Sequence, residues 1–256
     1  MDDFTISLAG IPIGIKPFHP EIQIYFSDYF SSESPLFSVA PDKENLEYEM
    51  AMFGKRNGRI ITPSHDAMLN MELSALLRLI ADRIPEYGAI LFHGSVVAAD
   101  GRAYLFTAPS GTGKTTHTRL WLQQLPQAYV LNGDKPFLKL DSDGRVLACG
   151  NPWRGKEWFG CSEILPLEAI CLLERAPENR ICSITPKETG MAFLHQAYIP
   201  NGNAGPRAIA LLEQISRNVS LYRLGCNMEP EAAQVSIRAM IPNETAEPPV
   251  RVKNDA

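Results

Sequence analysis

A short glycine-rich segment between two predicted regular elements constrains this chain more than any other feature. Residues 103–106 form an apolar run typical of a buried strand, and a helical pattern follows from about 114 to 125. Between them, Ala108 and the Gly-Lys-Thr at 113–115 have the spacing of a phosphate-binding loop, with alanine in place of the first glycine. The strand before and the helix after are the local structure that such a loop requires. The sequence therefore predicts a nucleotide site in an α/β domain.

The residue types in this segment each suit the holding of phosphate. Glycines at 111 and 113 let the backbone turn its N–H groups inward, and the following helix directs the positive end of its dipole at an anion. Lys114 would place a mobile positive charge against the β- and γ-phosphates, and the hydroxyl of Thr115 can ligate Mg²⁺. The alternative is an ordinary Gly/Ser/Thr turn before a helix. The predicted nucleotide-binding residues are Ser110, Gly111, Thr112, Gly113, Lys114, Thr115 and Thr116.

A second polar turn follows the next predicted strand. The apolar run at 129–131 leads into an Asn-Gly-Asp sequence at 132–134. An Asp at the end of a strand beside a phosphate-binding loop is placed to act as metal ligand or general base, so we expect strand 129–131 to lie next to strand 103–106. The alternative is that Asp134 only forms a turn. The guanine-recognition order Asn-Lys-x-Asp is not found at 132–135, which argues against a GTPase.

The remaining periodicities predict an α/β protein with a mixed sheet, in three parts. Residues 1–65 read as a small β-rich N-terminal region, in which Asn57-Gly58 is the turn of a hairpin that begins with a strand at 48–53. Residues 66–241 alternate between strands and amphipathic helices and form the main domain. Residues 242–256 are polar and rich in proline, which predicts a flexible tail.

Composition excludes several classes of protein. The 256 residues carry 24 Lys and Arg against 29 Asp and Glu, a net charge of −5, which argues against a nucleic-acid binder. No apolar stretch is long enough to span a bilayer, and the acidic start does not resemble a secretory signal, so we expect a cytoplasmic protein without membrane contact. The five cysteines contain no Cys-x-x-Cys pair and predict neither a disulfide framework nor a zinc site.

The order of these motifs resembles the HPr kinase/phosphorylase family. A Leu-Phe-His-Gly-Ser string at 91–95 precedes the loop at 110–116, Asp134 follows about twenty residues later, and an Arg-Gly pair stands at 154–155. The loop itself is similar to that of the related phosphoenolpyruvate carboxykinase. The resemblance covers residues 88–175 well and extends weakly to about 241. It is strongest to a small kinase-like branch that includes peptide serine kinases, and it implies a P-loop kinase core of the HPr kinase/carboxykinase type.

The resemblance also implies roles for individual residues. Lys114 and Thr115 would bind ATP and Mg²⁺. Asp134 matches the second Asp of the family's Asp-Asp pair, which acts as general base beside the metal. His93 matches a histidine near the phosphate site, and Arg154 matches the signature arginine that stabilises the transferring phosphoryl group. The implied catalytic residues are Asp134, Arg154, His93 and Lys114, and the implied metal ligands are Thr115 and Asp134.

The sequence departs from the family pattern at three positions. Gly133 stands in place of the family's first Asp, Thr116 in place of a Glu, and Lys135 directly follows the expected base. These differences predict that the phosphate-driven dephosphorylation of the bifunctional relatives is weak or lost, whereas the minimum set for phosphoryl transfer remains.

Several of these residues have simpler interpretations. His93 can equally be a hydrogen-bonded core histidine, and Arg154 can be an ordinary surface ion pair. Trp153 and Trp158 flank the Arg-Gly pair and either wall an acceptor pocket or pack in the core. His117 is expected on the solvent face of the helix that follows the loop.

Together these features predict an ATP-dependent kinase that transfers the γ-phosphoryl group to a hydroxyl, with a peptide or protein serine as the favoured acceptor. Two alternatives remain open: a kinase of a small hydroxylated metabolite, and a non-catalytic ATP-binding switch subunit. The predicted partners are therefore ATP and a hydroxyl-bearing acceptor. Assembly as a homo-oligomer is left open.

Overall fold

A computed structural model describes residues 3–57, 64–155 and 159–241 of the chain. Within these ranges the strands are β1 (Phe4–Leu8), β2 (Ile11–Ile15), β3 (Phe37–Val39), β4 (Ala89–Leu91), β5 (Ser95–Ala99), β6 (Arg102–Thr107), β7 (Tyr129–Asn132), β8 (Phe137–Leu140), β9 (Val146–Cys149), β10 (Ile164–Arg175), β11 (Arg180–Ser183) and β12 (Ser220–Cys226). The α-helices are α1 (Lys43–Asn57), α2 (His65–Arg83), α3 (Lys114–Gln124), α4 (Pro186–Gln196), α5 (Ala204–Arg217) and α6 (Pro230–Met240). Two 3-10 helices span Pro20–Tyr29 and Ile84–Tyr87.

The larger of the two sheets is mixed and curled, which confirms the predicted mixed α/β class. Its main strand order is β4-β8-β9-β10-β6-β5-β7, and β12 pairs with both β10 and β11. The sheet branches at β10. Residues 164–166 of β10 pair with β9, whereas residues 169–175 pair with β12 and residues 167–172 pair with β6. One long strand therefore joins the two halves of the sheet.

Four strand ends meet at one edge of this sheet. β6, β10 and β12 are parallel neighbours, and β5 runs antiparallel to both β6 and β7, so β7 has the direction of β6. The carboxyl ends of β6, β7, β10 and β12 consequently share an edge, which is where sites form in sheets with parallel strands. The glycine-rich segment at 110–116 follows β6 at this edge.

The prediction that strand 129–131 lies next to strand 103–106 is wrong, because β5 lies between β7 and β6. The sequence alone does not predict β5, a run of small and medium-sized residues just before Asp100 and Gly101. Asp100 and Gly101 have φ values of 50° and 71°, the left-handed pair that a two-residue hairpin needs. The tight turn pairs β5 with β6 and so places β5 between β6 and β7.

Helices cover both faces of the sheet. On one face, Trp121 of α3 and Met240 of α6 are buried in a cluster with Phe106 of β6. On the other face, Phe193 of α4 and Leu212 of α5 pack in a cluster with neighbouring strands. This two-layer covering explains the apolar runs that predicted the central strands.

The N-terminal region combines a small sheet with helices. β1, β2 and β3 form a three-stranded sheet, which matches the expected β-rich character of residues 1–65 only in part. The predicted strand at 48–53 is wrong, because these residues lie within α1. The α1 sequence is rich in Glu, Lys and Met, which favour helices. Asp42 and Asn45 also cap it reciprocally, with N···Oδ1 distances of 2.8 and 3.2 Å. The rest of the predicted hairpin, from residue 58, lies outside the described residues.

The small sheet shares a hydrophobic core with the large one. Ile6 and Phe26 from the N-terminal region pack in one cluster with Leu76 of α2 and Phe137 of β8. This cluster spans the expected domain boundary at residue 65, which stays a prediction together with the extent of the 66–241 domain. The predicted tail at 242–256 lies outside the described ranges. None of the described helices combines the length and apolar character needed to cross a lipid bilayer.

Candidate functional site

The glycine-rich segment between β6 and α3 forms a tight loop. Gly111 and Gly113 have φ values of 80° and 130°, conformations that side chains rarely adopt, although added Cβ atoms would meet no neighbour. The requirement for glycine at these positions is therefore conformational. Arg175, at the end of β10, holds the loop from outside: its Nη2 donates to Gly111 O, and its Nε donates to Thr112 O at 3.3 Å. Sequence reasoning missed Arg175, because its partners lie more than sixty residues away.

Lys114 is the first residue of α3 and lies against the loop. Its Nζ donates to Ala108 O at 2.8 Å. Burial lowers the pKa of Lys114, and the nearby negative charge of Asp134 opposes that shift. Lys114, predicted to bind the phosphates, and Asp134, predicted to act as the base, are therefore close enough to interact electrostatically.

Asp134 is held by a turn at the end of β7. Asn132 Oδ1 accepts hydrogen bonds from the backbone N–H groups of Asp134 and Lys135, at 3.0 and 2.8 Å. The Nδ2 of the same buried Asn132 donates to Asn151 Oδ1 at 3.1 Å. The Asp134 carboxylate is half-buried, with Oδ1 3.6 Å from His93 Nε2 and Oδ2 3.8 Å from Lys135 Nζ. Neither contact is a full hydrogen bond, so the carboxylate keeps lone pairs for another donor.

His93 is fixed by two elements and faces Asp134. Its Nδ1 lies 2.6 Å from Gln196 Oε1, and its backbone N–H donates to Gln196 O at 2.7 Å. Its own carbonyl accepts from Thr107 Oγ1 at 2.8 Å. The ring is therefore hydrogen-bonded, as a core histidine would be, but it is 31% exposed and lines a cavity. Gln196, at the end of α4, carried no sequence signal for this contact.

Arg154 lies at the wall of the same site and is tied to the N-terminal region. Its Nη2 donates to Asp28 Oδ2 at 2.9 Å and to Tyr29 Oη at 3.3 Å, both at the end of the 3-10 helix Pro20–Tyr29. Its buried Nε has no hydrogen-bond partner among the residues that the structure describes. Partial burial would lower the pKa of Arg154, but the contacts with Tyr29 and Asp28 outweigh burial and raise it. The ion-pair interpretation of Arg154 is correct for its Asp28 contact, and the residue also lines the cavity described below.

The two glycines near Arg154 permit a close approach of two turns. A Cβ at Gly133 would lie 2.8 Å from Arg154 O, and a Cβ at Gly155, where φ is 81°, would lie 2.9 Å from Asp134 Cβ. A carboxylate side chain at 133 does not fit this arrangement. Trp153 packs edge-on against Phe26 with ring centroids 5.6 Å apart, and so belongs to the core rather than to a pocket wall. Trp158 lies outside the described residues.

These side chains converge on one cavity of about 480 Å³. Nearly all of the predicted site residues line it, together with residues of β5, α3 and β7 that sequence analysis did not select. The lining residues are His93, Ser95, Ser110, Gly111, Gly113, Lys114, Thr115, Thr116, Thr118, Arg119, Leu122, Val130, Gly133, Asp134, Arg154, Gly155 and Phe159. Thr112 is the one predicted nucleotide-binding residue that does not line this cavity, and it lines a neighbouring one. The arrangement places a cation, hydroxyls and a half-buried carboxylate around a shared space.

The expectation for His117 is wrong. Its ring is 2% exposed and stands edge-on to Phe106, with Nε2 3.0 Å from Ser236 Oγ. Burial lowers the pKa of His117 to about 4. His117 therefore packs in the core behind the loop.

Oxygen donors suited to Mg²⁺ are present at the cavity. Thr115 and Asp134 both line it and offer a hydroxyl and a carboxylate. Within the described ranges, no three His, Cys, Asp or Glu side chains cluster as a protein-only metal site would require. Mg²⁺ is commonly held by one or two protein oxygens together with substrate phosphates, so the donor set fits that mode of binding. All five cysteines carry free thiols.

Comparison with known proteins gives a family match and structural similarity of low extent. No curated protein matches the sequence. The solved structure of the Hpr(Ser) kinase/phosphatase from Coxiella burnetii is similar over 58% of this chain and 95% of its own, with 9% identity and a TM-score of 0.34. Residues 59–200 match the family described as "SynChlorMet cassette protein ScmC". Because this match covers more than half of the sequence, including the loop at 110–116, Asp134 and Arg154, the chain belongs to the ScmC family.

Proposed function

We propose that this chain is an ATP-dependent phosphotransferase of the P-loop kinase type, which moves the γ-phosphoryl group to a hydroxyl. The observation that carries the proposal is the cavity of about 480 Å³, because Lys114 and Thr115 line it together with Asp134 and Arg154. A glycine-rich loop at the amino end of a helix favours bound phosphate, and a carboxylate across the same space favours activation of an acceptor. Phosphoryl transfer uses both.

The loop residues would hold the triphosphate. Lys114 Nζ, now on Ala108 O at 2.8 Å, lies at the loop, within reach of a phosphate placed there. The backbone N–H groups around Gly113 and the first turn of α3 add partial positive charge. Thr115 and Asp134 would hold Mg²⁺, which neutralises charge on the phosphates when it is bound. These groups position the γ-phosphoryl group toward the Asp134 side of the cavity.

Asp134 would take the proton of the acceptor. The hydroxyl oxygen forms a bond to the γ-phosphorus, the bond from that phosphorus to the β-γ bridging oxygen breaks, and ADP leaves. The proton moves from the hydroxyl to Asp134, whose carboxylate is oriented by the Asn132 turn. His93 is held by Gln196 and stands 3.6 Å from the Asp134 carboxylate, where a protonated ring would stabilise its negative charge.

Arg154 would neutralise charge that develops on the moving phosphoryl group. It lines the cavity on the same side as Asp134, and its guanidinium is held by Asp28 and Tyr29. A held cation contributes to the transition state without the reorganisation that a free side chain requires. The N-terminal region would therefore contribute to the reaction by holding the Arg154 guanidinium.

A peptide or protein serine is the acceptor that we propose. The family's description names a cassette, so products encoded in the same cassette are the first candidates. A small hydroxylated metabolite is the alternative acceptor. Phe159 favours the peptide or protein acceptor. It lines the cavity and is 50% exposed, as a contact surface for an extended chain would be.

A nucleotide-binding switch is the second candidate function. It is favoured by the Arg154–Asp28 contact, through which a bound phosphate and the N-terminal region compete for one guanidinium. A switch would bind ATP and change the position of the N-terminal region, with no dependence of turnover on an acceptor.

The test is incubation of the purified chain with Mg²⁺ and γ-labelled ATP, with and without each product of the cassette and with a panel of hydroxylated metabolites. We expect label on one acceptor and ADP formation that depends on it. ADP formation that is slow and independent of every acceptor would favour the switch instead. Binding of ATP without any label transfer, even to cassette products, would contradict the kinase.

A further inference from the structure

A second cavity, of about 610 Å³, lies beside the first and on the other side of the same loop. The two share Gly111, Gly113 and Thr116, so the loop and the start of α3 form the wall between them. The second cavity contains none of Asp134, His93 and Arg154. Its lining residues are Gly111, Thr112, Gly113, Thr116, His117, Leu173, Arg175, Ala176, Pro177, Cys226, Asn227 and Met228.

The sheet topology explains why the cavities are separate. The loop follows β6, and the first cavity lies toward β5 and β7 whereas the second lies toward β10 and β12. Arg175 ends β10 and Cys226 ends β12, so the second cavity is formed at the same edge of the sheet. A ligand bound in the loop has one open space on each side.

The geometry of phosphoryl transfer gives the two spaces different occupants. In an in-line displacement, the attacking and leaving oxygens stand on opposite sides of the phosphorus. If the acceptor approaches from the side of Asp134, the leaving diphosphate points toward β10 and β12. We propose that the nucleoside of the phosphoryl donor binds in the second cavity, between the loop and the segments 175–177 and 226–228. This inference rests on the proposed kinase function.

The chemistry of the second cavity suits a nucleoside. Leu173, Pro177 and Met228 supply apolar surface, and Met228 is 77% exposed, as a flexible thioether that covers a flat base would be before it is buried. A cavity of this size is within the range that binds small ligands. The wall nearest the loop is polar, because Arg175 is fixed there by the carbonyls of Gly111 and Thr112. Charge therefore lies toward the phosphates and apolar surface toward the base.

The segment that carries Met228 is held in a fixed conformation. The backbone N–H of Asn227 donates to Asn179 Oδ1 at 3.0 Å, and its Nδ2 donates to Pro177 O at 3.1 Å. Asn227 Oδ1 accepts from the N–H of Glu229, also at 3.0 Å. These bonds join segments 176–179 and 226–229 into one rim. The rim is built before any ligand binds, which lowers the entropy that binding must overcome.

The test compares binding of MgATP with binding of magnesium tripolyphosphate, which lacks the nucleoside. For the unmodified chain we expect ATP to bind at least about tenfold more tightly, since burial of a base adds apolar contact. Met228→Ser should weaken ATP binding by about three- to tenfold and leave tripolyphosphate binding unchanged. Met191→Ser is the matched control, because Met191 is 66% exposed on α4 and lines neither cavity, and it should change neither affinity.

A photoreactive azidoadenosine triphosphate provides the second measurement. We expect label on peptides that contain residues 175–177 or 226–228, with protection by ATP and not by tripolyphosphate. Equal affinity of the unmodified chain for ATP and tripolyphosphate, or label confined to residues that line only the first cavity, would overturn the nucleoside site and leave the loop assignment standing. Binding of neither ligand would overturn the proposed function, and this inference with it.

Discussion

Lys114 is the residue on which nucleotide binding should depend most. Its side chain begins at the first residue of α3. Burial lowers the pKa of Lys114, and the negative charge of bound phosphate would stabilise its charged form. We predict that Lys114→Ala weakens ATP binding by on the order of 100-fold, the worth of one or two charge-assisted hydrogen bonds. Titration calorimetry measures this. Lys187→Ala, at an exposed position on α4, is the control and should bind ATP normally. Unchanged affinity in folded Lys114→Ala protein would remove the loop from the site.

His117 predicts a pH dependence of stability. In the folded chain its pKa is about 4, because the ring is buried, whereas in the unfolded chain the value is the ordinary 6.5. Between these values the unfolded state holds more protons, so the free energy of unfolding falls as the pH falls from about 6.5 to about 4. One group contributes a slope of up to about 1.4 kcal/mol per pH unit.

Denaturant unfolding at several pH values tests the role of His117. His117→Gln should flatten the slope in that window, whatever its effect on stability at pH 7. His195→Gln, at an exposed position near the end of α4, should leave the slope unchanged. An unaltered slope in His117→Gln would mean that folding does not lower the pKa of His117.

The sequence predicts those site residues that act together within one short segment. The loop at 110–116 was recognisable because its glycines, lysine and threonine act within one short segment. The partners that fix the site were not: Gln196 holds His93 across 103 positions, and Asp28 holds Arg154 across 126. Such pairs carry no shared pattern in one sequence, since folding alone brings them together.

Among the elements, the 3-10 helix Pro20–Tyr29 contacts the site through Arg154. Tyr29 Oη accepts from Arg154 and donates to Cys161 O at 3.1 Å, so it links the helix to both sides of the 154–161 segment. We predict that Arg154→Ala lowers kcat by about 10- to 100-fold with little change in ATP affinity, because the guanidinium acts where charge develops. Transfer kinetics and calorimetry on the same samples separate the two effects.

Asp28 should act only through Arg154. Asp28→Asn removes the ion pair and keeps the size of the side chain, so we expect a kcat about three- to tenfold lower with an unchanged KM for ATP. Adding Asp28→Asn to Arg154→Ala should cause no further loss. Additive losses in the double variant would show that Asp28 acts on its own. A kcat within about a factor of two of normal in Arg154→Ala would show that Arg154 takes no part in the transfer.

Helices and strands were predicted correctly where the hydrophobic periodicity is strong. β6, α3 and β7 lie within one residue of the bounds that the sequence indicates. α1 was missed because the Asn57-Gly58 turn signal outweighed helix-forming residues and the reciprocal cap between Asp42 and Asn45. β5 was missed because its five residues are small and stand close to a stronger turn signal. In both cases the sequence contains a local pattern for the element, but a neighbouring turn signal is stronger.

The packing of two turns against each other leaves no room for a carboxylate side chain at position 133. Gly133 lies against Arg154 O because two turns, one after β7 and one after β9, meet there. We therefore predict that inorganic phosphate does not take the phosphoryl group from the phosphorylated acceptor to form pyrophosphate at an appreciable rate. Incubation of labelled phospho-acceptor with phosphate and Mg²⁺, followed by detection of pyrophosphate, measures this. Efficient pyrophosphate release would show that neither Gly133 nor Thr116 limits the reverse reaction.

The arrangement of the whole sheet was only partly predictable. The sequence indicates a mixed α/β protein, and the structure adds the branch at β10 and the shared edge of β6, β7, β10 and β12. The branch depends on long-range pairing that no local pattern encodes. The shared edge explains why a loop and a carboxylate recognised separately in the sequence line the same cavity.

The most direct test of the proposed phosphoryl transfer is the rate at which Asp134→Asn transfers label from ATP to the acceptor. The substitution keeps the size of the side chain and removes its charge and its capacity to accept a proton. We predict normal folding, ATP affinity within a few-fold of normal, and transfer slower by on the order of 10²–10⁴-fold. Asp143→Asn, in an exposed turn, is the control and should transfer at the normal rate. Transfer by Asp134→Asn at close to the normal rate would contradict the mechanism.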